Sequence, residues 1–221
     1  MILTLLLPVS AVLLGACLAY YFKPETPKGM KLLLAYSGAF LLGILVLEML
    51  PLVYSHASNT TGFWILGGIL FQTMLEYFSK GAEHGHVHYH KKQFPWMILI
   101  SLCIHAFLEG MPLSNELGLL WGVSIHKIPI GLVIGSMLFE QESAMTPKIL
   151  ALVFFALMSP LGSYTAIYFD PVALNRHISP FVLGALLHIS TTILFESSEG
   201  HNFNLQKFLS ILLGVGTAAL L

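Results

Sequence analysis

Three ionisable side chains fall inside stretches that otherwise read as hydrocarbon-soluble: His105 and Glu109 in one apolar run, His126 in the next. Imidazole and carboxylate are the ligands that zinc and its neighbours in the first transition row accept. His105 and Glu109 stand four residues apart, so on a helix they project from one face about one turn apart. The short link Ser114-Asn115-Glu116 precedes the run that carries His126 and makes the two runs antiparallel neighbours. At a rise of about 1.5 Å per residue, His105 lies roughly 14 Å below Ser114 and His126 roughly 15 Å below Glu116, so the two rings share a level. Glu48, a few residues from the end of an earlier run, is expected at about the depth of Glu109. Two imidazoles with one or two carboxylates, converging away from water, would make a divalent-metal site.

Proline follows three of these groups at the same spacing. Pro51 comes three residues after Glu48, Pro112 three after Glu109 and Pro129 three after His126. Each ring removes a donor and is expected to kink its helix, freeing a backbone carbonyl one turn earlier. Such broken backbone is tolerated at membrane depth where it lines a protein-buried or watery cavity. His188, alone in a later apolar run, reads as structural, and Glu76, Glu140 and Glu196 lie near span ends within reach of water.

The elements that must position these groups follow from composition. The chain has 221 residues, 56% hydrophobic and only 10% charged, with 10 Lys plus Arg against 11 Asp plus Glu. An ordinary soluble domain carries about a quarter charged residues, so this chain cannot coat a water-facing surface. The near-neutral balance also leaves no basic footprint for nucleic acid. Cys17 and Cys103 sit in separate apolar runs and support neither a disulfide framework nor a Cys-based zinc module. A membrane helix needs roughly 20 apolar residues, and eight candidates are predicted: 2–22, 31–53, 62–80, 95–113, 117–139, 148–169, 179–196 and 204–221. The expected fold is therefore an all-α polytopic membrane protein of one transmembrane domain. Leu14-Gly15-Ala16-Cys17 resembles a lipoprotein cleavage box, but no Lys or Arg precedes it, so a retained first helix is expected.

Basic residues set the expected orientation. Lys23, Lys28, Lys31, Lys80, Lys91, Lys92, Lys148 and Lys207 fall on the side of the odd-numbered loops, and Arg176 alone lies opposite. Both termini should then face outward and the 81–94 loop should be cytoplasmic, in a plasma (inner) membrane. That loop carries His84, His86, His88 and His90, an alternating tract suited to loose metal binding.

His105-Ala-Phe-Leu-Glu109-Gly110 and His126-Lys-Ile-Pro129-Ile-Gly131 resemble the paired signatures of the ZIP family of divalent-metal transporters, His-Asn-x-x-Glu-Gly and His-x-x-Pro-Glu-Gly. Glu48-Met-Leu-Pro51 resembles the helix-two His-x-x-Pro segment, with Glu for His. The resemblance implies a bundle of three, two and three helices, the outer triplets related as an inverted repeat. It further implies a transport site between helices four and five, alternating access from outside to cytoplasm, and a homodimer. Where many relatives look built for a second metal, this sequence has Ala106, Lys127, Ile130 and Ser159, none a good ligand. A single-metal variant follows, with the Lys127 ammonium balancing a carboxylate such as Glu109 or Glu48.

The leading expectation is transport of a divalent cation, zinc first, with His105, Glu109, His126 and Glu48 as ligands. Ligand type alone leaves Fe²⁺, Mn²⁺, Co²⁺ and Cd²⁺ open. No nucleotide-binding Gly-x-x-x-x-Gly-Lys motif is present, which argues against primary pumping and for a secondary transporter. Two alternatives remain at this stage: an intramembrane zinc-dependent hydrolase and a metal-binding sensor that does not transport.

Overall fold

The computed structural model describes residues 2–22, 27–82, 94–114, 116–196 and 205–221. Within them the chain is helical, with no strand. Helix one runs Ile2–Phe22 and helix two Pro27–Ile44, continuing through a wide π-helical turn, Leu45–Met49, into Leu50–Ser55. Helix three is Thr61–Ser79, and helix four is Trp96–Gly110, tightening into a 3₁₀ turn over Met111–Ser114. Helices five and six are Leu117–Phe139 and Met145–Ala166. Helix seven opens with Pro171–Ala173 and a second π turn, Leu174–Ile178, before Ser179–Glu196; helix eight is Leu205–Ala218.

Both π turns have the same cause. Pro51 and Pro180 cannot donate to the carbonyl four residues back, and their rings press on it, so the preceding turn widens. Pro112 falls in the 3₁₀ turn that ends helix four, whereas Pro129 lies within the unbroken α-helical run of helix five. Among the described residues, six of the helices are long and apolar enough to cross a bilayer. Helix three is unbroken and carries the polar side chains of Gln72 and Glu76 in its second half. Helix eight, at 14 residues, is about 21 Å long by its rise and shorter than the expected 204–221 span.

Small residues decide which helices meet. Helix one packs on helix five, four on six, two on eight, and three on seven. A Cβ on Gly15 would collide with the carbonyl of Ile128, and one on Gly131 with that of Val12. On the other side, a Cβ on Gly110 would strike the Ser159 carbonyl and one on Gly162 the Phe107 carbonyl. Backbones thus touch directly at both seams, as small residues allow in membrane bundles. The register is the same in each: Gly110 and Phe107 of helix four correspond to Gly131 and Ile128 of helix five, and Gly162 and Ser159 of helix six to Gly15 and Val12 of helix one. Helices three and seven, with Gly68 and Gly184, and helices two and eight, with Gly43 and Gly214, make the matching outer contacts. These four pairings are those expected of an inverted repeat that exchanges helices one to three with six to eight and four with five.

Two apolar cores flank the middle. One gathers Val12, Leu102, Ala106, Ile130, Ile134 and Phe155 from helices one, four, five and six. The other gathers Phe40, Leu41, Ile44, Leu120, Val123 and Leu183 from helices two, five and seven.

Candidate metal centre

Between those cores lies a group of polar side chains that the bilayer would not accept singly. Helix four places His105 and Glu109 on one face, and His105 Nε2 is 3.2 Å from Glu109 Oε2. From helix five, the Lys127 ammonium lies 2.5 Å from Glu109 Oε1. The same Nζ sits 5.0 Å above the Phe155 ring, a cation–π contact. Ser159 Oγ of helix six stands 2.7 Å from the Ala106 carbonyl oxygen and 3.2 Å from Glu109 Oε1, and its one proton serves either acceptor. Glu109, Lys127 and His126 are each no more than 2% exposed, and His105 is 7% exposed.

The two oxygens of Glu109 therefore have different surroundings. Oε1 is held by the ammonium and the hydroxyl. Oε2 faces the His105 ring nitrogen and takes no share of the ammonium or the hydroxyl. A buried carboxylate held to a buried ammonium is close to neutral as a unit, and this is how the bundle tolerates both charges.

The residues expected to converge do so in part. His105, Glu109 and Lys127 are brought together, with Ser159 and Ala106 beside them. His126 is buried on the adjoining turn of helix five. Ile130 packs into the apolar core with Ala106. Glu48 lies elsewhere: its carboxylate fills the space that a side chain on Gly118 would take, at the start of helix five. Gly118 is eight residues before His126, about 12 Å along the helix. The expected depth fails because the π turn over Leu45–Met49 contains Glu48 itself, so a count at α-helical rise misplaces and misdirects it. Among the described residues, no three His, Cys, Asp or Glu side chains lie close enough to hold a metal ion. His84, His86, His88 and His90 lie outside the described residues.

At its new position Glu48 faces Glu116, which precedes helix five. Partial burial, and then the Glu48 charge, push the Glu116 carboxyl above its ordinary range.

Two polar contacts of helix three were not legible in the sequence. Gln72, 1% exposed, places Oε1 3.1 Å from His105 Nδ1. One turn on, Glu76 Oε2 is 2.6 Å from His188 Nε2 of helix seven, so these two groups, read as solvated and structural, are an interhelical pair. The available signal was the spacing of Gln72 and Glu76, four residues apart on helix three.

This all-helical membrane bundle, with imidazole, carboxylate and ammonium at its centre, has relatives. Residues 82–221 match the family described as ZIP Zinc transporter, well over half of the chain. The chain belongs to that family. It is also similar to Protein zntC of Dictyostelium discoideum, 36% identical over 73 residues. That match covers 30% of this chain and 18% of the Dictyostelium protein, so less than a fifth of the relative's length is spanned.

Proposed function

We propose that this chain carries a divalent transition-metal cation, zinc first, across the membrane from outside to cytoplasm through one site at helix four, facing helix five. The observation that carries the reading is the pair of atoms His105 Nε2 and Glu109 Oε2. They are 3.2 Å apart on one helix face, which with zinc–ligand distances of about 2.05 Å gives a ligand–metal–ligand angle of about 103°, near tetrahedral. Water would complete the sphere, and His126 would join it only after helix five shifts against helix four. Lys127 limits affinity, because its ammonium already neutralises Glu109 and repels an arriving cation. Moderate affinity suits a carrier, which must release what it binds.

The concentration of lysines on one face supports outward termini, and the histidines at 84, 86, 88 and 90 would receive the cation on the cytoplasmic side. Membership of the ZIP family supports a secondary transporter rather than an enzyme. Glu48 and Glu116 would stand at the outer approach. Uptake of radioactive zinc into proteoliposomes tests the reading. Replacing both His105 and Glu109 by Ala should abolish uptake, and unchanged uptake would reject the site. Zinc binding by the wild type without flux would instead favour the sensor reading, which the Lys127–Glu109 pair makes chemically reasonable.

A further inference from the structure

Gln72 has no part in the site as the sequence defines it, yet its amide is buried beside it at 1% exposure. Its Oε1 lies 3.1 Å from His105 Nδ1, and its Nε2 is buried without a hydrogen-bond partner. A buried amide half satisfied is expensive in a membrane bundle, so the bond that it does make calls for a reason.

The reason lies in the two ends of one imidazole ring. Neutral imidazole carries one proton, and the partner of one nitrogen decides whether the other can ligate a metal. An acceptor at Nδ1 keeps the proton there and leaves the Nε2 lone pair directed at Glu109 Oε2. Two lone pairs 3.2 Å apart repel each other unless a cation lies between them. With the proton on Nε2 instead, His105 would donate to Glu109, and both atoms would be lost to a metal. The Gln72 carbonyl opposes that second state.

We infer that Gln72 is a positioning residue that holds the proton of His105 on Nδ1 and so makes Nε2 the metal-binding atom. This rests on His105 being a cation ligand. A neutral amide is a moderate acceptor. It favours the ligating tautomer without the added negative charge that a carboxylate would bring to the ring and the bound cation.

The test uses the full-length protein in detergent and in proteoliposomes, with zinc as the probe. Gln72→Met keeps length and volume but removes the acceptor. It should weaken zinc binding about 10- to 100-fold, the usual effect of losing an outer partner of a ligating histidine. Gln72→Glu keeps the acceptor and adds charge; it should bind zinc at least as tightly as wild type while its maximal uptake rate falls several-fold. Nitrogen-15 spectra of histidine-labelled protein give a second readout: the His105 resonances should report the Nδ1–H form in wild type and lose it in Gln72→Met. An unchanged zinc affinity together with an unchanged tautomer in Gln72→Met would overturn the inference. A His105→Ala variant separates the levels. If it binds and transports zinc like wild type, the site assignment itself fails; if it is inactive while Gln72→Met is normal, only the role of Gln72 fails.

Discussion

The seam between helices one and five and the seam between helices four and six are built to one plan and differ in chemistry. Each closes on two glycines set against the carbonyls of the facing helix, in the same register. In that register His105 corresponds to His126, Ala106 to Lys127, Glu109 to Ile130, and Ser159 to Val12. The two glycine–carbonyl contacts are alike in the seams, and the helix one–five seam adds Gly135 against Ala16 and Ala19, where the other has Ser114 at the equivalent position. The charged positions differ: a carboxylate on one side, an ammonium on the other, and these two meet across the middle. Repetition thus supplies the scaffold, and departures from it supply the site.

Replacing either central glycine should break the comparison most severely. Gly110→Val and Gly131→Val each drive a side chain into facing backbone that cannot yield. This goes beyond the usual overpacking cost of about 1–3 kcal/mol and should prevent the seam from closing, so neither should yield monodisperse protein on size exclusion. A sound fold from one and not the other would mean that the seams are not equivalent. Next in size is Lys127→Met, which leaves Glu109 buried without its counter-charge. Loss of one partner of a buried pair should lower stability by about 3–5 kcal/mol. Adding Glu109→Gln should restore most of it, as read by denaturant unfolding in detergent.

A smaller effect should follow at the outer helix pair. His188→Phe removes the bond to Glu76, where both partners are about one-fifth exposed, and should cost about 1–2 kcal/mol. A loss as large as that of Lys127→Met would mean that the two polar links carry similar weight. The smallest effect concerns Glu116, whose raised pKa means that the folded state prefers the protonated carboxyl. Its contribution to stability is present below the unfolded value of about 4.3 and is lost as pH rises through the folded value. Glu116→Gln should therefore match wild type near pH 4 and melt slightly higher at pH 7. A gap that widens toward acid would contradict the raised Glu116 pKa, set first by burial and then by the Glu48 charge.

The helices and the central His105–Glu109 pair were legible because their signals are local: apolar runs of bilayer length, and the four-residue spacing of the two side chains. The pairing of Lys127 with Glu109 was expected as one of two options, since spacing cannot choose between Glu109 and Glu48. Glu48 itself was misplaced because a π turn changes both rise and direction within the residues that carry it. Gln72 and the Glu76–His188 pair were missed for another reason. Each depends on which helices sit side by side: helix three beside helix four for Gln72, and helix three beside helix seven, held by Gly68 against Phe181, for Glu76 and His188.

The glycine seams also constrain how the molecule can deform. Where backbone lies flush on backbone there is no side chain to act as a cushion, so helices one and five should travel as a single plank, and four and six as another. The link from Lys127 to Glu109 runs from plank to plank. Sliding one past the other would untie that ion pair and leave both glued edges intact, and a doubly charged ion arriving at Glu109 would compete for the same knot.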